Sequence, residues 1–148
     1  MFTRLLVAYD ESPEAEKALA AGIDLAKVSG AALYSVTVAE DLPAYVLYGT
    51  LEAPLESDLR TTLVNQRESY YGAIARKAKD RAAEAGVAIE AAVVSGMETD
   101  SILSYTKEIC ADLLIVGLHK HSTIIDHLWG STHQRLTCSS PCSILAVR

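Results

Sequence analysis

Short apolar runs alternate with stretches of helical periodicity along the chain. Arg4 to Tyr9 holds Leu5, Leu6, Val7 and Ala8 in continuous apolar order, the pattern of a strand covered on both faces. Ser12 and Pro13 then supply a helix N-cap and a first helical residue, and Ala15, Ala18, Leu19, Gly22 and Ala26 form a small-residue stripe that ends at Gly30. Ala32 to Val38 has the β-branched and aromatic content of a second strand. Glu40 to Ser57, with Pro43, Gly49 and Pro54 around Tyr45 and Tyr48, reads as a long loop of the kind used as a lid or binding loop.

Asp58 to Ala85 lacks proline and carries Leu59, Leu63, Tyr70, Ile74, Ala78 and Ala82 at helical spacing, which predicts one long helix capped by Gly86. Val87 to Ser95 is a third strand, and Glu90 inside it suits a sheet edge. Ile102, Tyr105 and Ile109 mark one face of a third helix. Leu113 to Val116 is a fourth, doubly covered strand, and Cys142 to Val147 a fifth. Strands alternating with helices imply an α/β fold with a parallel sheet and right-handed crossovers.

Chemistry gathers after the fourth strand. Gly117 ends that strand where a sharp backbone turn is expected. Gly130, Ser131 and Thr132 then open a helical segment, Ser131 to Cys138, placing free N–H groups and hydroxyls at a helix N-terminus. His119, His121, His127 and His133 cluster here, but their spacing fits no compact metal motif. No nucleophile and base stand at a credible spacing, so a catalytic site is not expected.

Composition narrows the function further. A chain of 148 residues fits one domain. Its 13 basic and 19 acidic residues leave a net charge of −6, which disfavours nucleic acid or an anionic membrane as the main partner. FTRLLVAY at the start is cut short by Asp10 and Glu11, so neither a signal peptide nor a membrane span is expected there. Three cysteines, Cys110, Cys138 and Cys142, cannot all pair within one chain and fit a reducing, cytoplasmic compartment; a packing role is expected for Cys138 and Cys142.

The stretch Gly117, Leu118, His119, Lys120, nine further residues, Gly130, Ser131 resembles the phosphate loop of the universal stress proteins. In that loop Gly, two residues, Gly, nine residues and Gly-Ser or Gly-Thr wrap a triphosphate. Lys120 stands where the middle glycine belongs. VAYDES, SVTVAED, DLLIVG and SPCSILAVR extend the resemblance over nearly the whole chain. The resemblance implies an open, doubly wound five-stranded parallel sheet of order three-two-one-four-five, as one stress-protein domain over residues 1–148. It further implies an adenine nucleotide, ATP or AMP, with or without Mg²⁺, between strands one and four.

By the same resemblance Asp10 bonds the ribose, the backbone of Val38 recognises adenine, and Ala8, Val116 and Gly117 border the site. His119, Lys120, Gly130, Ser131 and Thr132 attend the phosphates. Asp10 has an equally good reading as a helix-approach residue, since Asp-Glu-Ser-Pro is a helix entry on its own. Lys120 can either obstruct the loop or pair with phosphate.

Two functions therefore remain open. One is a cytoplasmic nucleotide-binding stress sensor or regulator; the other is a nucleotide-free dimeric interaction protein on the same scaffold, acting on an unknown protein partner. In both, the apolar run Ser143 to Val147 has no lysine or proline to block pairing and is expected to form a homodimer edge.

Overall fold

The computed structural model describes residues 1–50, 56–118 and 132–148, without the side chains of Leu47, Thr132 and His133. Its elements in chain order are β1 (Arg4–Ala8), α1 (Pro13–Ser29), β2 (Ala32–Ala39), α2 (Ala44–Tyr48), α3 (Ser57–Glu84), β3 (Ile89–Ser95), α4 (Glu98–Glu108), β4 (Leu113–Gly117), α5 (Thr132–Ser139) and β5 (Ser143–Val147). The strands form one parallel sheet in the order β3-β2-β1-β4-β5. Both the α/β class and the strand order expected from the sequence are therefore present.

The helices divide between the two faces. Leu5, Val7, Leu33, Leu113 and Ile115 meet α1 and α3 on one face, whereas Leu6, Val36, Leu114 and Val116 meet α4 and α5 on the other. This is why the central strands read as continuous apolar runs: alternate residues enter different cores.

Helix α1 lies close to the sheet because its inner stripe is small. Ala15, Ala18, Leu19, Gly22 and Ala26 are all buried, and a methyl added at Gly22 would stand 2.8 Å from Val7 Cγ2. Ser12 caps the helix, its hydroxyl accepting from the Ala15 N–H at 3.1 Å. Gly30 ends it in the left-handed region, at φ 71°.

Three expectations need correction. The stretch Glu40 to Ser57 is not a plain loop, since Ala44–Tyr48 form the short helix α2 packed on α3. The stripe along α3 is buried only from Ile74 onward, while Leu59 and Tyr70 are exposed. The reason is length: 28 helical residues span about 42 Å, whereas a strand of eight residues spans about 26 Å, so the helix outruns the sheet it covers. Finally, Cys142 packs partly against the α4 face but Cys138 is exposed, so only one of the pair packs.

Candidate functional site

Strand β2 outlasts β1, and this leaves backbone open at the centre of the sheet. The β1–β2 ladder closes at Ala8 and Val36, with one further bond from the Tyr9 N–H to the Val36 carbonyl at 2.9 Å. Peptide groups in a strand face alternate sides, so those of Val38 face the same side as those of Val36. There β1 has already turned away toward the Ser12 cap. Ala39 faces the other side, and its carbonyl accepts from the Gly96 N–H at 3.2 Å. The N–H and C=O of Val38 thus point into the gap that opens between β2 and β4 where β1 ends.

That gap is a cavity of about 230 Å³. Ala8, Val38 and Val116 form its floor at the carboxyl ends of three strands, and Ile102 of α4 and Leu136 of α5 cover one side. Gly117 and the first turn of α1 close the other. The cavity sits where the strand connections reverse direction, the usual ligand position in an open α/β sheet.

Gly117 is needed here for a reason other than the turn expected of it. No positive φ is found at Gly117, but an added Cβ would lie 2.4 Å from the Glu14 carbonyl carbon and 2.8 Å from the Ala15 nitrogen. Close approach of α1 to the end of β4, rather than left-handed geometry, excludes a side chain.

Asp10 combines its two expected roles. One carboxylate oxygen accepts from the Ser12 N–H at 3.0 Å, which shapes the approach to α1, and the residue also lines the cavity. Glu14 and Glu98 line it too, so the charged side chains among the described lining residues are all acidic. Neither glutamate stands out in the sequence, because first-turn acids are ordinary helix starts.

Tyr9 braces the floor from beneath. Its hydroxyl donates to Glu16 Oε1 at 2.6 Å, and Thr37 Oγ1 donates to the Tyr9 carbonyl at 2.9 Å. Burial, then the hydrogen bond to Glu16 and the charge of that carboxylate, push the phenol well above the ordinary tyrosine range.

Of the residues expected to bind nucleotide, Ala8, Asp10, Val38, Val116 and Gly117 come together around this one cavity. His119, Lys120, Gly130 and Ser131 lie outside the described residues, as do His121 and His127; Thr132 begins α5. Among the described residues no group of histidine, cysteine and carboxylate side chains is arranged to hold a metal, and no helix is long and apolar enough to cross a membrane.

The profile described as "Universal stress protein family" matches residues 1–148. The chain is 31% identical to the universal stress protein YxiE of Bacillus subtilis over the full length of both. A solved universal stress protein in complex with cAMP is similar at 27% identity, with a TM-score of 0.74 over 99% of this chain and 97% of that one. UspA from Lactobacillus plantarum superposes with a TM-score of 0.75 over 99% and 97% of the two chains, at 20% identity.

Proposed function

The chain belongs to the universal stress protein family, and from that premise we propose that it binds an adenine nucleotide in the cavity between β1 and β4 as a regulatory ligand. The observation that carries this reading is the open peptide of Val38 over an apolar floor. A backbone N–H beside a C=O matches the N1 acceptor and N6 donor of adenine, while Ala8 and Val116 suit the faces of the ring. Asp10, at the rim, is placed to accept from ribose hydroxyls. Phosphate contacts fall to the segment that contains Lys120, Gly130 and Ser131 and to the start of α5, with ATP or AMP as ligand and Mg²⁺ accompanying the triphosphate. The cAMP held by the 27% identical relative supports an adenine ligand.

A second reading has its own observation. Asp10, Glu14 and Glu98 all face the cavity, and acidic lining disfavours phosphate, as a nucleotide-free interaction protein would permit. Titration calorimetry with AMP, ATP and ATP–Mg²⁺ separates the two, with fluorescence of Trp129, the chain's one tryptophan, as a second signal because it adjoins Gly130 in sequence. Saturable binding supports the nucleotide reading; flat traces at millimolar ligand refute it and leave the interaction protein.

Both readings include a homodimer through β5, in a reducing cytoplasm suited to three free thiols. Helix α3 lies over the β2 and β3 half of the sheet and α2 packs on α3, away from the β5 edge. The Leu118 N–H donates to the Val147 carbonyl at 2.7 Å; by alternation Leu145 also faces β4, and Ile144 and Ala146 face outward. Proline at Ala146, rather than at Leu145, therefore removes an outward N–H. Sedimentation should show a dimer for the wild type and a monomer for Ala146→Pro; a monomeric wild type refutes the dimer.

A further inference from the structure

Resting on the reading of the cavity as an adenine site, we infer that Arg67 is a positioning residue that holds the base-reading peptide of Val38 in place. Arg67 belongs to α3, on the opposite face of the sheet from α4 and α5, and it does not line the cavity. Its guanidinium nonetheless ends on β2. Nη2 donates to the carbonyls of Ala39 and Glu40, each at 2.7 Å, and Nε donates to the Glu40 carbonyl at 2.9 Å. Tyr71 stands beneath the guanidinium at 5.8 Å, and Asp41 lies 3.6 Å away. With 17% of its side chain exposed, this is a cation sunk among carbonyls rather than a solvated surface charge.

The need for such a clamp follows from the sheet. Beyond Val36 the backbone ladder to β1 has ended, leaving on that side the side-chain bond from Thr37 to the Tyr9 carbonyl, and on the β3 side the last backbone bond is the one between Gly96 and Ala39. A strand end with a backbone ladder on one side only can tilt about that side, and Val38 is the residue before Ala39. The planar fork of Arg67 fastens the two following carbonyls at fixed angles, which a lysine with a single ammonium cannot do. Base reading depends on this rigidity, because hydrogen bonds weaken steeply with misalignment.

The test compares AMP with IMP, which share ribose and phosphate. IMP presents N1–H and O6 where AMP presents N1 and N6–H₂, so it sets donor against donor and acceptor against acceptor at Val38. Affinities are measured by calorimetry on the full chain for wild type, Arg67→Ala, Arg67→Lys and Arg60→Ala. Among the described residues, the last removes only the Arg60–Tyr48 contact of that side chain, 5.5 Å from cation to ring, on the same helix.

Wild type and Arg60→Ala should prefer AMP by roughly tenfold or more. In Arg67→Ala and Arg67→Lys the ratio should fall toward one through loss of AMP affinity, while IMP affinity holds. A merely structural role lowers the folded fraction and reduces both ligands alike, leaving the ratio unchanged, and that result overturns the inference. If Arg67→Ala fails to fold, Arg67→Lys alone decides by the same ratio. Wild type binding AMP and IMP equally overturns base reading at Val38 and this inference with it, whereas wild type binding neither overturns the nucleotide site itself.

Discussion

A single methyl group added at three glycines should have three different outcomes, and the largest should come at Gly117. An ideal Cβ there stands 2.4 Å from the Glu14 carbonyl carbon, 2.5 Å from its oxygen and 2.8 Å from the Ala15 nitrogen. Ordinary contact begins near 3.4 Å, so the first turn of α1 must retreat by roughly 1 Å. All three obstructing atoms are backbone and cannot rotate aside. Overpacking costs about 1–3 kcal/mol, and the upper end applies here because Ala15 and the cap at Ser12 move with the turn.

Gly22→Ala meets Val7 Cγ2 at 2.8 Å, a side-chain atom that can yield, and the gain in helix propensity offsets part of the cost; a loss of up to about 1 kcal/mol is expected. Gly72 has nothing within 4 Å of an added Cβ, so Gly72→Ala should stabilise α3 by about 0.5–1 kcal/mol. Urea unfolding followed by circular dichroism measures all three. With a slope of about 2 kcal/mol/M, Gly117→Ala should lower the midpoint by roughly 1.5 M. A Gly117→Ala midpoint at the wild-type value, or above that of Gly22→Ala, refutes the close-approach argument.

Two further substitutions test charged hydrogen bonds through their pH dependence. Burial pushes the Asp112 carboxyl up, but the N–H groups of Arg4 and Thr3 and the Thr3 hydroxyl, at 3.0, 2.7 and 2.7 Å, outweigh it and hold the group below the usual carboxylate range. A depressed folded pKa stabilises above the unfolded value, so Asp112→Asn should destabilise the protein at pH 7, and the gap should close as pH falls below about 4; a gap constant from pH 7 to 2 contradicts this. Tyr9→Phe removes a bond to a carboxylate and should cost about 1.5 kcal/mol at pH 7. Because the phenol is raised, its contribution is complete below about pH 10 and is lost as pH rises further, so the two proteins should converge in alkaline unfolding; parallel curves there refute the assignment.

Most of the fold was legible in the sequence because its signals are local. Doubly apolar runs mark central strands, Ser12-Pro13 opens α1 and Gly30 closes it, and each is decided by residues within a few positions. The errors arose where geometry beyond the segment decides. The periodicity of Leu59, Leu63 and Tyr70 is helical, and the helix is there, but periodicity cannot report that the sheet ends before the helix does. Likewise the breakers Pro43 and Gly49 flank α2 rather than prevent it, so Glu40 to Ser57 read as loop throughout.

The candidate site was legible only in part, for a different physical reason. Asp10 and Gly117 are conspicuous as residue types at strand ends, whereas the feature best suited to reading a base is a peptide group, which every residue except proline carries in the same form. What distinguishes Val38 is not its side chain but the difference in length between β1 and β2, and that difference is set by where Asp10 and Ser12 turn the chain into α1. The position of α1 depends in turn on Gly117 having no side chain. Gly117, the last residue of β4, thus acts on the cavity through helix packing, a role that its place in the loop motif does not express.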